Sequence, residues 1–140
     1  MTVHVSTRCH YAIKALVRLA LADGTEPVQG RAIAEFGGIP PKFLEQVMHD
    51  LRQAGLVTSR RGKRGGYALA RAAASVTFAD VREAIDGPFG GAGHGQDGDP
   101  AEACVAPVWH EVREAVRGVM ERATIAEAAA RGRPHDMYYI

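Results

Sequence analysis

Residues 56–70 read LVTSRRGKRGGYALA. Arg60, Arg61, Lys63 and Arg64 stand among Gly62, Gly65 and Gly66, with a short apolar run on either side. LVTS and YALA have β character, and the glycines between them suit a tight reversal, so the stretch reads as a hairpin with a cationic tip. Like charges crowded on a turn are poor core material, so the tip is exposed. Taken alone, such a turn is a solvated, solubilising loop. What precedes it changes that reading.

Upstream, residues 7–22 (TRCHYAIKALVRLALA) place Ala12, Leu16, Leu19 and Ala20 at helical spacing, with Ile13 and Val17 beside them and Asp23-Gly24 as the stop. A shorter helix is expected over 29–36, carrying Ile33 and Phe36 inward. Gly37-Gly38 then forces a turn, because glycine accepts positive φ cheaply. Pro40-Pro41 opens a further helix, where a missing N–H costs nothing in the first turn. Its inward set is Phe43, Leu44, Val47, Met48 and Leu51, and Gly55 closes it. Two helices joined by a short glycine turn and followed by a hairpin spell a winged helix-turn-helix. The fold class is therefore mainly α, with a two-stranded wing.

Downstream, Thr77 and Asp80 form a capping pair for a fourth helix, FADVREAID, stopped by Gly87-Pro88. Residues 88–103, PFGGAGHGQDGDPAEA, are glycine-rich and without periodicity, so a long loop is expected. From 106 to about 121 a stripe returns with Val108, Trp109, Val112, Val116, Val119 and Met120, and Thr124 and Glu127 cap a last short helix, IAEAAAR. The organisation expected is a winged-helix unit over 1–75, a linking helix over 76–87 and a glycine-rich loop over 88–105. A long C-terminal helix with the short helix follows over 106–131, then a tail over 132–140.

The chain has 140 residues, 46% hydrophobic and 24% charged, with a net charge of +1. That is one ordinary domain with material for a core, and not a uniformly basic protein. The charge is local: between Ser59 and Ser75 there are five cations and no acid. One charged contact surface follows. No apolar stretch reaches the roughly 18 residues of a membrane span, and the N-terminus lacks a signal layout, so the expected location is cytoplasmic, without a membrane partner.

A recognition helix in the major groove brings the adjoining hairpin to flanking phosphates and the minor groove. Base edges fall to Lys42, Glu45, Gln46 and His49 near the start of that helix; Gln can pair with adenine and Glu can accept from cytosine N4. Glu45 then serves discrimination, since it repels phosphate; the plainer alternative is a surface charge. Arg31, Arg60, Arg61, Lys63 and Arg64 are assigned to phosphate or minor-groove contacts. The competing reading is a winged-helix module for protein contacts without DNA. Catalysis is not expected: Cys104 and His110 lack an orienting third residue, and GGAGHG lacks the strand and register of a phosphate loop.

FLEQVMHDLRQAGLV, SRRGKRGGYALA and FADVREAIDGP, together with TRCHYAIKALVRLAL and its Tyr11, resemble the Rrf2 family of winged-helix transcriptional regulators. The resemblance runs from about residue 5 to 130. It implies a homodimer held by the long helix on a pseudo-palindromic operator. It also implies a sensor, because many members carry three cysteines in the loop before that helix to ligate an iron–sulfur cluster. Only Cys104 has a counterpart here, and Pro107 stands where some members have histidine, so three-cysteine ligation is excluded. The cofactor is left unknown. Three readings stay open: a thiol switch at Cys104 or at Cys9, whose neighbours Arg8 and His10 could lower its pKa; a mixed-ligand iron–sulfur cluster or metal drawing on Cys104, His10 and His94 with loop carboxylates; or a small buried cysteine and a solvated histidine.

Overall fold

The computed structural model of the protein describes residues 5–22, 26–89 and 99–132. Helix α1 (Thr7–Ala20) starts where the Ser6 hydroxyl accepts the Cys9 amide, and it buries Cys9, Ala12, Ile13, Ala15, Leu16 and Leu19. It ends two residues earlier than the pattern predicts; Asp23-Gly24 lie outside the described residues.

Helices α2 (Gly30–Gly37) and α3 (Pro41–Gln53) are joined through Gly38, at φ +60°. There the Ile39 amide donates to the Ala34 carbonyl at 3.0 Å, and Pro41 opens α3. Leu44, Val47, Met48 and Leu51 of α3 are buried, while Phe43 is half-buried against Tyr11, ring centroids 5.8 Å apart. Phe36 corrects the expectation: it is 48% exposed. On so short a helix Ile33 and Gly37, four residues apart, take the inward line, and Phe36 falls beside it.

Strands β1 (Val57–Arg60) and β2 (Gly66–Leu69) pair antiparallel, Val57 opposite Leu69 and Arg60 opposite Gly66. The free edge of β2 is taken by Val28, which exchanges two 2.8 Å hydrogen bonds with Tyr67. Gly66 allows this approach: its φ is +148°, and a Cβ there would lie 2.3 Å from the Val28 carbonyl oxygen. The wing is thereby seamed to the segment leading into α2.

A short 3₁₀ turn (Ala73–Ser75) leads to α4 (Phe78–Asp86), whose capping box joins Thr77 and Asp80. Helix α5 (Pro100–Arg122) follows, and α6 (Ile125–Arg131) starts where Thr124 accepts the Glu127 amide. The long helix begins six residues before the expected start. Asp99 accepts the Ala101 amide on its side chain, Pro100 takes the first helical position, and the helix runs through Pro107. Cys104, placed in a loop by the sequence, therefore stands on α5. The chain returns to the core where Phe78 donates to the Ala123 carbonyl and Ile125 to the Val76 carbonyl, both at 2.9 Å. Ile125 and Ala129 of α6 are buried there, whereas Met120 is the one buried residue of α5. Among the described residues no helix is long and apolar enough to cross a membrane.

Candidate nucleic-acid interface

Lys42, Glu45, Gln46, His49 and Gln53 are exposed on α3, opposite its buried line. Steps of three, one, three and four residues keep them on one helical stripe. Asp50, next to His49 in the chain, turns toward α1 and pairs with Arg8. At the far end of α3, Arg52 Nη1 donates to Ser59 Oγ of β1 at 3.1 Å, fastening the helix to the hairpin.

The wing tip spans residues 61–65, closed by the Gly65 amide donating to the Gly62 carbonyl at 2.9 Å. Arg60, Arg61, Lys63 and Arg64 are all exposed, and no carboxylate of the described residues pairs with any of them. Four cations on one small loop, none paired with a carboxylate of the described residues, make a concentrated positive field. Gln29 Nε2 donates to the Lys63 carbonyl at 3.3 Å, so the tip is tied to the start of α2 as well. Arg31, in the first turn of α2, holds Glu35 one turn on at 3.3 Å on the surface. Arg31, Glu35, Pro41, Glu45 and Tyr67 line a shared groove of about 790 Å³. The structure thus gathers Arg31, the exposed stripe of α3 and the wing around one connected surface.

The sensor candidates are not gathered. Cys9 is fully buried, and its thiol is pushed up to about 12 by burial and by the Asp86 carboxylate, against a smaller opposing pull from Arg82. Of the open readings, the one in which Arg8 and His10 lower the Cys9 pKa does not hold. Arg8 is adjacent in sequence, yet successive helical residues project about 100° apart, and its guanidinium goes to Asp50. Cys104 is exposed on α5, with Sγ 3.9 Å from the Pro100 carbonyl. His10 is exposed and lines a groove beside Val116, Val119 and Met120. At 1.5 Å per residue, Val116 lies about 18 Å along α5 from Cys104. His94 lies outside the described residues, as do GGAGHG and the tail after 132. Among the described residues no three His, Cys, Asp or Glu side chains stand together as a metal site.

Of the predicted dimerisation stripe, Val108, Trp109 and Val119 are exposed, with Val108 at 57%, and Val112 and Val116 are half-buried. Met120 is only 7% exposed, corrected to a residue packed within its own chain. Val105, missed by the sequence reading because it fell in the supposed loop, extends the exposed apolar line. Cys104 and His110, six residues apart on a helix, do not face each other.

Sequence reasoning also missed Gln29 and Ser59, which lock the wing, and the Arg8–Asp50 pair. Single polar residues at such spacing carry no local signal; only the folded arrangement gives them partners.

Comparison with known proteins agrees with this arrangement. The model of the Rrf2 family, described as an iron-dependent transcriptional regulator, matches residues 5–131. The HTH-type transcriptional regulator CymR of Bacillus subtilis is 31% identical, over 90% of this chain and 89% of its own length. IscR of Klebsiella pneumoniae, also an HTH-type transcriptional regulator, is 32% identical over 89% of this chain and 78% of its own. Among solved structures, CymR, the global cysteine regulator of B. subtilis, superposes with a TM-score of 0.80 at 30% identity, covering 94% of this chain and all of that one. T. potens IscR superposes with a TM-score of 0.76 at 31% identity, over 96% of each chain. With a winged helix-turn-helix built as these structures are, and a family match along nearly its whole length, the chain belongs to the Rrf2 family of transcriptional regulators.

Proposed function

We propose that the protein is a dimeric, sequence-specific DNA-binding repressor working in the cytoplasm on a pseudo-palindromic operator. The observation that carries this reading is the wing: four cations without carboxylate partners among the described residues, tied through Arg52–Ser59 and Gln29–Lys63 to the exposed stripe of α3 and the start of α2. With α3 in the major groove, Lys42, Glu45, Gln46 and His49 reach base edges. Arg31, Arg60, Arg61, Lys63 and Arg64 lie against phosphates and the minor groove. A second copy joins through the apolar line of α5, which sets the distance between the two recognition helices.

The test is the salt dependence of duplex binding. Each lost phosphate contact reduces the log–log slope by about 0.9, so Arg61→Ala with Arg64→Ala, which removes two contacts in each protomer of the dimer, should flatten it by about 3.6 and weaken all sequences alike. A module for protein contacts alone would show no duplex affinity even at low salt.

On this reading the signal acts through Cys104, the exposed thiol. The donor set does not fit a three-cysteine cluster, because Cys9 is sealed in the core and Cys104 is the one exposed thiol per chain. A mixed-ligand centre would need Cys104 together with imidazoles such as His10 from a second copy. Anaerobic visible spectra with iron and sulfide analysis separate the cases. Bands that vanish in Cys104→Ala support a cluster; a colourless, iron-free protein from iron-replete cells leaves the thiol switch.

A further inference from the structure

Helix α1 lies between the two parts that a regulator of this kind must couple. One line of it rests on the helix-turn-helix through three contacts, at Arg8, Tyr11 and Lys14. Arg8 Nη2 pairs with Asp50 Oδ2 at 2.5 Å, the Tyr11 ring packs on Phe43, and Lys14 Nζ donates to the Gly37 carbonyl at 3.1 Å. Another line faces α5: His10 and Ile13 share an apolar groove of about 540 Å³ with Phe78, Val116, Val119 and Met120. The start of α1 is pinned to the end of α4, since Ser6 donates its amide at 3.1 Å and its hydroxyl at 2.5 Å to Asp86.

Among the described residues Arg8–Asp50 is the only ion pair that joins two helices; two others lie within a helix, and Arg71–Asp80 links a loop to α4. It is poorly suited to adding stability. Both side chains keep about a third of their surface in water, where an ion pair adds little, and Arg8 Nε is enclosed with no acceptor among the described residues. It is well suited to setting an angle. Asp50 follows His49 directly and lies one helical turn beyond Gln46, so a lateral hold on Asp50 fixes the rotation of α3 about its axis.

We infer that Arg8 and Asp50 are positioning residues that aim the base-reading stripe of α3 while touching no base themselves. This rests on the DNA-binding reading above. The measurement is the ratio of affinities for two duplexes: one selected from a random pool with the wild-type protein, the other an unselected random duplex. Arg8→Gln and Asp50→Asn should each lower that ratio about five- to tenfold, with thermal midpoints little changed. Arg8→Lys should keep more of the ratio than Arg8→Gln, because the charge remains while the fork is lost. The exchange Arg8→Asp with Asp50→Arg should restore the ratio to within about twofold of wild type. An unchanged ratio in both single variants would overturn the inference. So would an exchange whose loss is the sum of the singles, or an Arg8→Lys no better than Arg8→Gln. A wild-type protein that binds neither duplex sinks the DNA-binding reading itself; one that selects, with variants that select equally well, sinks only the positioning role.

Discussion

Helices α3 and α5 solve opposite problems. In its 13 residues α3 buries Leu44, Val47, Met48 and Leu51 and turns a polar, hydrogen-bonding face outward. Over 23 residues α5 buries Met120 and turns Val105, Val108 and Val119 outward. A polar face is stable in water and free to meet base edges. An apolar line of that length is stable only when covered. The contrast is that α3 is held to the core along its whole buried line, whereas α5 joins it only at Met120, with Ile125 and Ala129 of α6 buried after it.

The largest expected effect tests the apolar side of this comparison. Val108→Asp would place a charge on both sides of the proposed two-fold contact and should weaken self-association about a thousandfold, read by sedimentation equilibrium. The same change on a protein that stays dimeric would show that α5 is covered in another way. Next comes the seam that holds the wing beside α3. Gly66→Ala forces a Cβ against the Val28 carbonyl and should cost about 2–3 kcal/mol in urea unfolding, with loss of operator binding. If only stability falls, the wing is not needed at that angle.

The smallest effect lies in the core that both helices share. The Cys9 thiol is raised from 9.0 to about 12 on folding. A raised acid holds its proton more tightly when folded. The associated stability is therefore complete below pH 9 and drains away as pH rises toward 12. Cys9→Ala should lose less stability than wild type between pH 9 and 11. At neutral pH a thiol reagent should modify Cys104 quickly and Cys9 only after unfolding; rapid modification of both would contradict the burial of Cys9.

Much of this was legible before folding was considered. Local signals sufficed wherever a residue acts on its own backbone neighbourhood: the Thr77–Asp80 box, Pro41 opening α3, Gly38 in the turn, and the glycines between β1 and β2. The cationic tip and the face of α3 followed from periodicity, because which side of a helix is wet depends on spacing alone. The start of α5 was misread because the glycine-rich stretch without periodicity was carried on as loop, whereas the Asp99-Pro100 cap had already begun the helix.

Partnership across the fold was another matter. Nothing near Gln29 in the chain announces the Lys63 carbonyl, nothing near Arg8 announces Asp50, and nothing near Gly66 announces Val28. Cys9 shows the limit most plainly. Its sequence neighbours are an arginine and a histidine, which argue for a reactive thiolate; its spatial neighbours are apolar side chains and Asp86, which hold the proton on. The sequence by itself determined the helices, the hairpin, the charge of its tip and the family to which they belong. Tertiary structure alone decided which polar groups find one another and which thiol meets water, because hydrogen bonds, ion pairs and burial depend on distances through space that chain order does not encode.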